Sequence, residues 1–276
     1  MMHKLELVQP DQAPPVWAAL RSEAMAAAKA EPPLCSMLDA VILSHRTLGE
    51  ALSFQLARKL GDGVLSPISL REISEEAQEA DPSILSDAEA DLRAVFERDP
   101  ACKGYLQPFL FFKGFQALQA YRLAHWLYGR GRETLAYYLQ SRTSELFQVD
   151  IHPAARIGSG VFFDHGTGIV VGETAVIGDD VSMLHGVTLG GTGAERGDRH
   201  PKIGKGVLLG AGAKVLGNIQ IGDYAKIASG SVVLKPVPSG CTAAGVPARL
   251  VNCPAGEEPA RTMDHTLAEV VYDYQI

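Results

Sequence analysis

Residues 203–233 read IGKGVLLGAGAKVLGNIQIGDYAKIASGSVV, and an aliphatic side chain returns at every sixth position of this stretch. These positions are Ile203, Leu209, Val215, Ile221, Ile227 and Val233. A period of six fits neither the 3.6-residue period of a helix nor the two-residue alternation of a half-buried strand. It predicts a stacked parallel β-helix, in which each hexad is one short strand and one turn with the aliphatic residue pointing inward.

The same period extends upstream to residue 151, with two interruptions. Its earlier members are Ile151, Ile157 and Phe163, followed by Val171, Ile177, Met183 and Leu189. The step from Phe163 to Val171 is eight residues, and the step from Leu189 to the next member is fourteen. The first interruption contains Asp164-His165 and the second contains Arg199-His200. Histidines at interruptions of a repeat are candidates for chemistry.

The first half of the chain is predicted to be helical. Apolar residues recur at helical spacing, and Ser69-Leu70-Arg71-Glu72 has the form of a capping box that opens a helix. Asp99-Pro100 ends another helix, because the residue before proline is pushed out of the α region. We therefore predict an α+β fold: an all-α N-terminal domain over residues 1–148, a parallel β-helix over residues 149–250 and an extended C-terminal tail over residues 251–276.

Composition narrows the class of protein. The formal net charge of -7 argues against nucleic acid or an anionic membrane as a partner. No apolar run approaches membrane-spanning length, and the N-terminus lacks the features of a secretory signal. The four cysteines form no metal-binding cluster, so we expect reduced thiols in a cytoplasmic protein.

Charge is distributed unevenly along the chain. Residues 190–250 carry eight Lys and Arg against three Asp and Glu, although the whole chain is acidic. Such a local excess of cations suits an anionic ligand. The alternative is a solvated basic face, since several of these cations flank the turns of the repeat.

Several segments carry a family resemblance: residues 150–154 (DIHPA), 164–174 (DHGTGIVVGET), 188–193 (TLGGTG), 197–203 (GDRHPKI), 97–101 (ERDPA) and 113–122 (KGFQALQAYR). On these motifs the chain resembles the serine O-acetyltransferases, the hexapeptide-repeat enzymes that commit serine to cysteine biosynthesis. Hexads alone are shared by many acyltransferases, whereas the DHGTG and GDRHPKI segments are specific. The resemblance covers nearly the whole chain.

The resemblance implies a left-handed β-helix that trimerises, with two trimers joined through the helical domains into a homo-hexamer. It implies transfer of an acetyl group from acetyl-CoA, a co-substrate, to the hydroxyl of L-serine, without a permanently bound cofactor or a metal. L-cysteine, which differs from serine at one atom, is the expected inhibitor. Terminal Ile276 is expected to dock in O-acetylserine sulfhydrylase, where its free α-carboxylate imitates an amino-acid substrate.

Acetyl transfer needs a base, because the pKa of an alcohol lies far above physiological pH. A histidine can accept the proton while the oxygen attacks the thioester. A carboxylate at the other ring nitrogen fixes the tautomer and stabilises the imidazolium. By resemblance His165 is the base and Asp150 is its orienting carboxylate. A satisfied turn histidine and a turn aspartate are the structural alternatives.

Serine is a zwitterion, so its binding site needs an anion for the amine and a cation for the carboxylate. By resemblance Asp99 and Asp164 bind the amine, and Arg199 and His200 lie at the carboxylate and hydroxyl end. A guanidinium suits a carboxylate because it can donate two parallel hydrogen bonds. The resemblance assigns five residues to coenzyme A binding: Gly191, Thr192, Ala211, Lys226 and Ser229. The glycine-bearing loop over residues 190–200 is expected to close over the site.

Other functions use the same architecture. Another hexapeptide acyltransferase, acting on a sugar or amino-sugar, is the nearest alternative, although it would lack the long helical half. A γ-type carbonic anhydrase binds a metal through three histidines, and His152, His165, His185 and His200 supply enough nitrogens. A metal site of this kind would give no function to Arg199 or to the excess of cations over residues 190–250. A purely structural scaffold is a third possibility.

Overall fold

The computed structural model describes residues 15–193, 196–253 and 256–267. Its first half is helical: α1 (Val16–Ala30), α2 (Cys35–Leu38), α3 (Leu48–Leu60), α4 (Pro67–Ala80), α5 (Ser83–Arg98), α6 (Leu106–Phe111), α7 (Lys113–Gly129) and α8 (Glu133–Phe147). None of the described helices is both long and apolar enough to cross a membrane.

The start of α4 differs from the sequence prediction. Ser66, not Ser69, caps this helix, and its hydroxyl accepts a hydrogen bond from the backbone N of Ser69 at 3.2 Å. Pro67 occupies the first helical position, where the missing N–H is not needed for a helical hydrogen bond. The predicted capping box is therefore wrong by one turn.

The second half is a parallel β-helix with three faces. Face A contains β1 (Val149–Ile151), β4 (Ile169–Val171), β7 (Thr188–Gly190), β10 (Lys214–Leu216) and β13 (Val232–Val233). Face B contains β2 (Arg156–Ile157), β5 (Val176–Ile177), β8 (Lys202–Ile203) and β11 (Gln220–Ile221). Face C contains β3 (Phe162–Asp164), β6 (Ser182–Leu184), β9 (Leu208–Leu209), β12 (Lys226–Ile227), β14 (Thr242–Gly245) and β15 (Ala248–Asn252). The chain passes from face A to B to C in every coil, so we call its corners AB, BC and CA.

Strand register stacks the hexad residues into columns inside the prism. On face A, Ile151 pairs with Val171, Val171 with Leu189, Leu189 with Val215, and Val215 with Val233. All five side chains are buried. The hexapeptide β-helix predicted from the sequence is confirmed.

The prism is longer than the hexads indicate. Thirteen hexads predict four coils and the first strand of a fifth, and that strand is β13 on face A. The fifth coil is completed by Val237, which bridges to Ile221, and by Ala243, which pairs with Ile227. The hexad period does not predict the rest of this coil for two reasons. Turns that contain proline and glycine change the spacing, and the inward residue on face C is alanine, which gives only a weak apolar signal.

The last strand reverses direction and the chain then returns to the prism. Strand β15 runs antiparallel to β14, and this hairpin brings Cys241 and Cys253 together in a disulfide. The prediction of reduced thiols is wrong for this pair, because the spacing of the two cysteines did not reveal the hairpin. A short helix, α9 (Pro259–Thr262), packs on face C, where the hydroxyl of Ser182 donates to the carbonyl of Ala260 at 2.8 Å.

The helical half is fixed to the first coil by a buried ion pair. The guanidinium of Arg122 in α7 lies 2.8 Å from the carboxylate of Asp91 in α5, and both side chains are buried. Arg122 also donates to the carbonyl of Gly158 at 2.8 Å, and Asp91 accepts from the backbone N of Val161 at 2.9 Å. Because both partners also bond the prism backbone, α5 and α7 are held beside face C. This contact sets the position of Asp99, the residue after α5.

Candidate active site

His165 lies at the CA corner between β3 and β4, where the repeat contains two additional residues. Its φ is 59°, a left-handed backbone conformation that is uncommon for residues other than glycine and often found at functional sites. The side chain is 74% exposed, and its Nε2 lies 3.7 Å from the Oδ1 of Asp164. The ring of His185, one coil further, contacts it edge-on at 5.8 Å between centroids. The interrupted repeat therefore presents an accessible imidazole.

Two carboxylates line a cleft of about 590 Å³ beside this imidazole. Asp164 ends β3 and Asp99 follows α5, and the cleft also contains the rings of Phe112 and Phe162. Partial burial raises the pKa of Asp164, and the nearby carboxylate of Asp99 raises it further. A bound cation would relieve this repulsion. The cleft can thus hold an ammonium group next to a base.

Asp150 lies in the middle strand position of β1 on face A, between the buried residues Val149 and Ile151. Its carboxylate accepts a hydrogen bond from the side-chain amide of Gln140 in α8 at 2.7 Å. Among the described residues no ion pair joins Asp150 to His165. One protomer therefore does not itself provide the contact that an orienting carboxylate would need.

Arg199 and His200 lie at the AB corner, at the end of the longer interruption. The guanidinium of Arg199 donates to the carboxylate of Glu173 at 2.7 Å and to the carbonyl of Gly197 at 3.0 Å. This pairing lowers the pKa of Glu173. The backbone N atoms of Arg199 and His200 both donate to the hydroxyl of Thr174, which belongs to the same corner one coil earlier.

The ring of His200 is buried, with 7% exposure of the residue. Burial, together with the positive charge of Arg199, lowers its pKa, so the ring is neutral at neutral pH. The ring fills the space above Gly172, where an added Cβ would lie 2.0 Å from its Nε2. Only glycine at position 172 leaves room for this imidazole.

The two groups of predicted serine-binding residues lie on opposite edges of face A. His165 and Asp164 precede β4 at the CA corner, whereas Arg199 and His200 follow β7 at the AB corner. A three-residue strand spans roughly 10 Å, which exceeds the length of a single serine molecule. One protomer therefore does not bring all of these residues around one serine.

The residues predicted to bind coenzyme A are also divided between the two edges. Ala211 and Ser229 lie at the CA corner, two and three coils beyond His165, and Gly191 and Thr192 lie at the AB corner. Lys226 lies on face C, where its ammonium donates to the carbonyl of Thr266 at 2.6 Å.

The CA corner is lined by a column of glycines in the left-handed conformation. They are Gly168, Gly186, Gly212 and Gly230, with φ between 70° and 75°. An added Cβ on Gly168 or Gly186 would lie 3.5 or 3.4 Å from the Cα of the next glycine in the column. Because these four positions carry no side chains, this strip of the corner leaves space beside the imidazole for an extended ligand.

Three residues near the predicted site were not assigned to it from the sequence. Thr174 and Gly172 both belong to the GET segment, residues 172–174. Glycine follows many hexad positions in this sequence, so nothing distinguishes Gly172 as the residue that makes room for His200. His185 was considered only as a possible metal ligand. It shares the CA corner with His165, whereas His152 and His200 lie at the AB corner, so the described part of a protomer does not assemble three of these histidines.

Two family models match the chain. Residues 16–120 match the family described as "Serine acetyltransferase, N-terminal", and residues 200–235 match "Bacterial transferase hexapeptide (six repeats)". The first match lies in the helical half and the second in the prism. The two halves are thus recognised independently.

The chain is similar to curated and solved serine acetyltransferases. That of Salmonella typhimurium is 57% identical over 249 residues, which cover 90% of this chain and 91% of the relative. A solved serine acetyltransferase in complex with cysteine is 55% identical with a TM-score of 0.90, covering 92% of this chain and 98% of the other. A crystal structure of serine acetyltransferase from Brucella abortus in complex with coenzyme A is 54% identical with a TM-score of 0.85, covering 88% of this chain and 99% of the other.

Proposed function

The chain belongs to the serine acetyltransferase family, and from this membership we propose that it transfers acetyl from acetyl-CoA to the hydroxyl of L-serine with His165 as the general base. The observation that carries the assignment of the base is the accessible imidazole at the interrupted CA corner, beside a cleft lined by Asp99 and Asp164. The base is solvent-accessible, and the carboxylates suit the ammonium group of an amino acid.

In the proposed reaction, the serine hydroxyl oxygen attacks the carbonyl carbon of the thioester while His165 accepts the hydroxyl proton. The C–S bond then breaks, and the proton passes to the sulfur of coenzyme A. Asp99 and Asp164 hold the amine, and Arg199 and His200 hold the carboxylate. Each step needs only the co-substrate and these side chains.

We propose that the complete site forms between two protomers. This follows from the position of the two groups on opposite edges of face A, too far apart for one serine to bridge. The CA corner of one protomer would then meet the AB corner of its neighbour around a trimer, and two trimers would form the expected hexamer. The contact between Asp150 and a catalytic imidazole is proposed to form in this assembly.

A subunit-mixing experiment tests this arrangement. His165→Ala and Arg199→Ala are each expected to be nearly inactive as homo-oligomers. If the site is shared, dissociating and reassembling them together should restore activity to about a quarter of wild type, because some interfaces then combine two intact edges. Failure to restore activity in verified mixed oligomers would place the whole site within one protomer.

For coenzyme A we propose that the pantetheine arm lies along the glycine column of the CA corner, next to Ala211 and Ser229. The column leaves backbone groups accessible, and Gly191 and Thr192 of the neighbouring protomer would complete the groove. Lys226 keeps its predicted role only if a phosphate displaces the carbonyl of Thr266 from its ammonium. Lys226→Met should then raise the KM for acetyl-CoA without changing the KM for serine.

Inhibition by cysteine is proposed because a solved relative is described in complex with cysteine. The proposed sulfhydrylase contact depends on Ile276, which lies outside the described residues. Deleting Ile276 should abolish that binding and leave acetyl transfer intact. The cytoplasmic location expected from the composition remains a prediction.

The direct test of function is release of free thiol from acetyl-CoA in the presence of L-serine, compared with other hydroxyl-bearing acceptors. Serine should be strongly preferred. Asp150→Ala should lower the rate, but less than His165→Ala does, because loss of an orienting group leaves the base in place. A sugar accepted in place of serine would overturn the proposal.

A further inference from the structure

The hydroxyl of Thr174 is surrounded by the two residues proposed to bind the serine carboxylate. Its Oγ1 accepts from the backbone N of Arg199 at 3.0 Å and of His200 at 3.1 Å, and it lies 2.9 Å from the Nδ1 of His200. A hydroxyl has one proton and two acceptor lone pairs. With both lone pairs occupied, its proton is left for the Nδ1 of His200 or for the nearby carboxylate of Asp198, so every hydrogen-bonding position of this hydroxyl is used.

The backbone of the same residue adds two further bonds. The N–H of Thr174 donates to the Nδ1 of His200 at 3.2 Å, and its carbonyl accepts from the ammonium of Lys202 at 2.9 Å. Lys202 also donates to the carbonyl of His200 at 2.6 Å. Thr174, in the second coil, therefore holds the end of the longer interruption through both its side chain and its backbone.

These bonds determine the tautomer of His200. A backbone N–H can only donate, so Nδ1 must be the unprotonated nitrogen and the neutral ring carries its proton on Nε2. Among the described residues Nε2 has no hydrogen-bond partner, and it lies over the bare backbone of Gly172. In this state Nε2 is a donor and cannot serve as a base.

We infer that Thr174 is a positioning residue for serine binding, which fixes the backbone of Arg199 and His200 and holds His200 as the Nε2–H tautomer. The guanidinium of Arg199 then supplies donors for a carboxylate, and the proton of His200 stays on Nε2, the one ring nitrogen that can donate. The inference rests on the proposed function of Arg199 and His200. Thr174 acts through them and does not itself contact the substrate.

Thr174→Val tests this role, because valine keeps the shape and removes the hydroxyl. Two backbone N–H groups and Nδ1 then lose a partner, and we expect the KM for serine to rise about tenfold. The KM for acetyl-CoA should not change, and Thr174→Ser, which retains a hydroxyl, should restore the KM for serine. Thr143→Val is a matched control, since the hydroxyl of Thr143 in α8 is buried and has no hydrogen-bond partner in the described part of the chain.

Arg199→Ala separates failure of this inference from failure of the proposed function. If Arg199→Ala raises the KM for serine and Thr174→Val does not, Thr174 has no positioning role and the proposed function stands. If neither variant changes that KM, the proposed carboxylate site is wrong, and the inference falls with it. An equal rise in the KM for acetyl-CoA in Thr174→Val would indicate general structural damage and would also overturn the inference.

The tautomer can be measured on the wild-type protein, even if Thr174→Val does not fold. Magic-angle-spinning NMR of protein labelled with 15N-histidine distinguishes protonated from unprotonated ring nitrogens, and His200→Gln identifies the signals. We expect a protonated Nε2 and an unprotonated Nδ1 at neutral pH. A proton on Nδ1 of neutral His200 would contradict the hydrogen-bond pattern on which the inference depends.

Discussion

Each of the two edges of face A carries one histidine proposed to act on serine, and the environments of these two rings, His165 and His200, are opposite. At the CA corner the side chain of His165 is 74% exposed, and its Nε2 lies 3.7 Å from the Oδ1 of Asp164. At the AB corner His200 is 7% exposed, and its Nδ1 is bonded by both the hydroxyl and the backbone N–H of Thr174. One ring is open to solvent, and the other is buried and held neutral.

This difference shows how histidine can serve as a base at one edge of the prism and as a hydrogen-bond donor at the other. A base must accept and release a proton, so it needs access and freedom to change charge. A donor to a carboxylate must keep its proton in one place, so it benefits from burial and a fixed tautomer. The repeat supplies neither environment by itself; each arises where additional residues interrupt it.

The comparison predicts its largest effect at the exposed ring. His165→Ala removes the proposed base, so kcat should fall by about 10³-fold in a free-thiol assay at saturating substrates. His185→Ala is the matched control, because it removes the neighbouring imidazole from the same corner and should have a much smaller effect. Comparable losses in both variants would mean that the interruption does not select the base.

The next effect is expected at the donor edge. Arg199→Lys keeps the charge but loses the planar pair of donors, so the KM for serine should rise by about 10²-fold while the KM for acetyl-CoA stays the same. Steady-state kinetics with each substrate varied in turn measures this separation. Arg261→Lys, at an exposed pair with Glu258, is the control and should leave both constants unchanged.

A smaller effect should follow from filling the space that His200 occupies. Gly172→Ala places a Cβ 2.0 Å from the Nε2 of His200, so the ring must move. We expect an increase of about tenfold in the KM for serine and a loss of about 1–3 kcal/mol in the free energy of unfolding. Gly63→Ala adds a methyl group that, apart from its chain neighbours, meets no described atom within 4 Å, and it should change neither. An unchanged KM in Gly172→Ala would show that the position of His200 is not critical.

The smallest effect concerns the pH dependence of stability. Because burial lowers the pKa of native His200 below its unfolded value of about 6.5, the unfolded chain binds a proton that the native state resists. The free energy of unfolding should therefore fall as pH drops from about 6.5 toward the native pKa, and be independent of this group above that range. Urea unfolding from pH 7.5 to 5 should show a weaker dependence in His200→Gln. The dependence should persist in His165→Gln, because this variant leaves His200 in place; equal slopes in all three proteins would contradict the assignment.

Much of the fold could be predicted from the hexads, because inward residues such as Leu209 and Ile227 must be apolar wherever a coil closes on itself. The last coil was predicted only as far as Val233, since Ala243 carries too weak an apolar signal and the turns before it change the spacing. The cap of α4 was misplaced, because Ser66 and Ser69 both fit a capping pattern and only the hydrogen bond distinguishes them. The disulfide depended on a hairpin that spacing alone did not indicate.

The candidate site was only partly accessible from the sequence. The interruptions identify His165 and His200 as unusual, and the family resemblance supplies their expected roles. Thr174 was not assigned to the site, although its hydroxyl accepts hydrogen bonds from the backbone N atoms of both Arg199 and His200. It lies twenty-six residues before His200, and only the stacking of coils shows that the two side chains meet.

By itself the sequence determined that this chain forms a β-helix behind a helical half, and which histidines interrupt the repeat. That information is local, because each inward residue is specified by its own turn and strand. Only the tertiary structure decided which edge of face A each histidine occupies, which ring is buried and which nitrogen of His200 carries the proton. Those properties depend on hydrogen bonds between successive coils, and the number of residues in each corner sets which groups come within bonding distance.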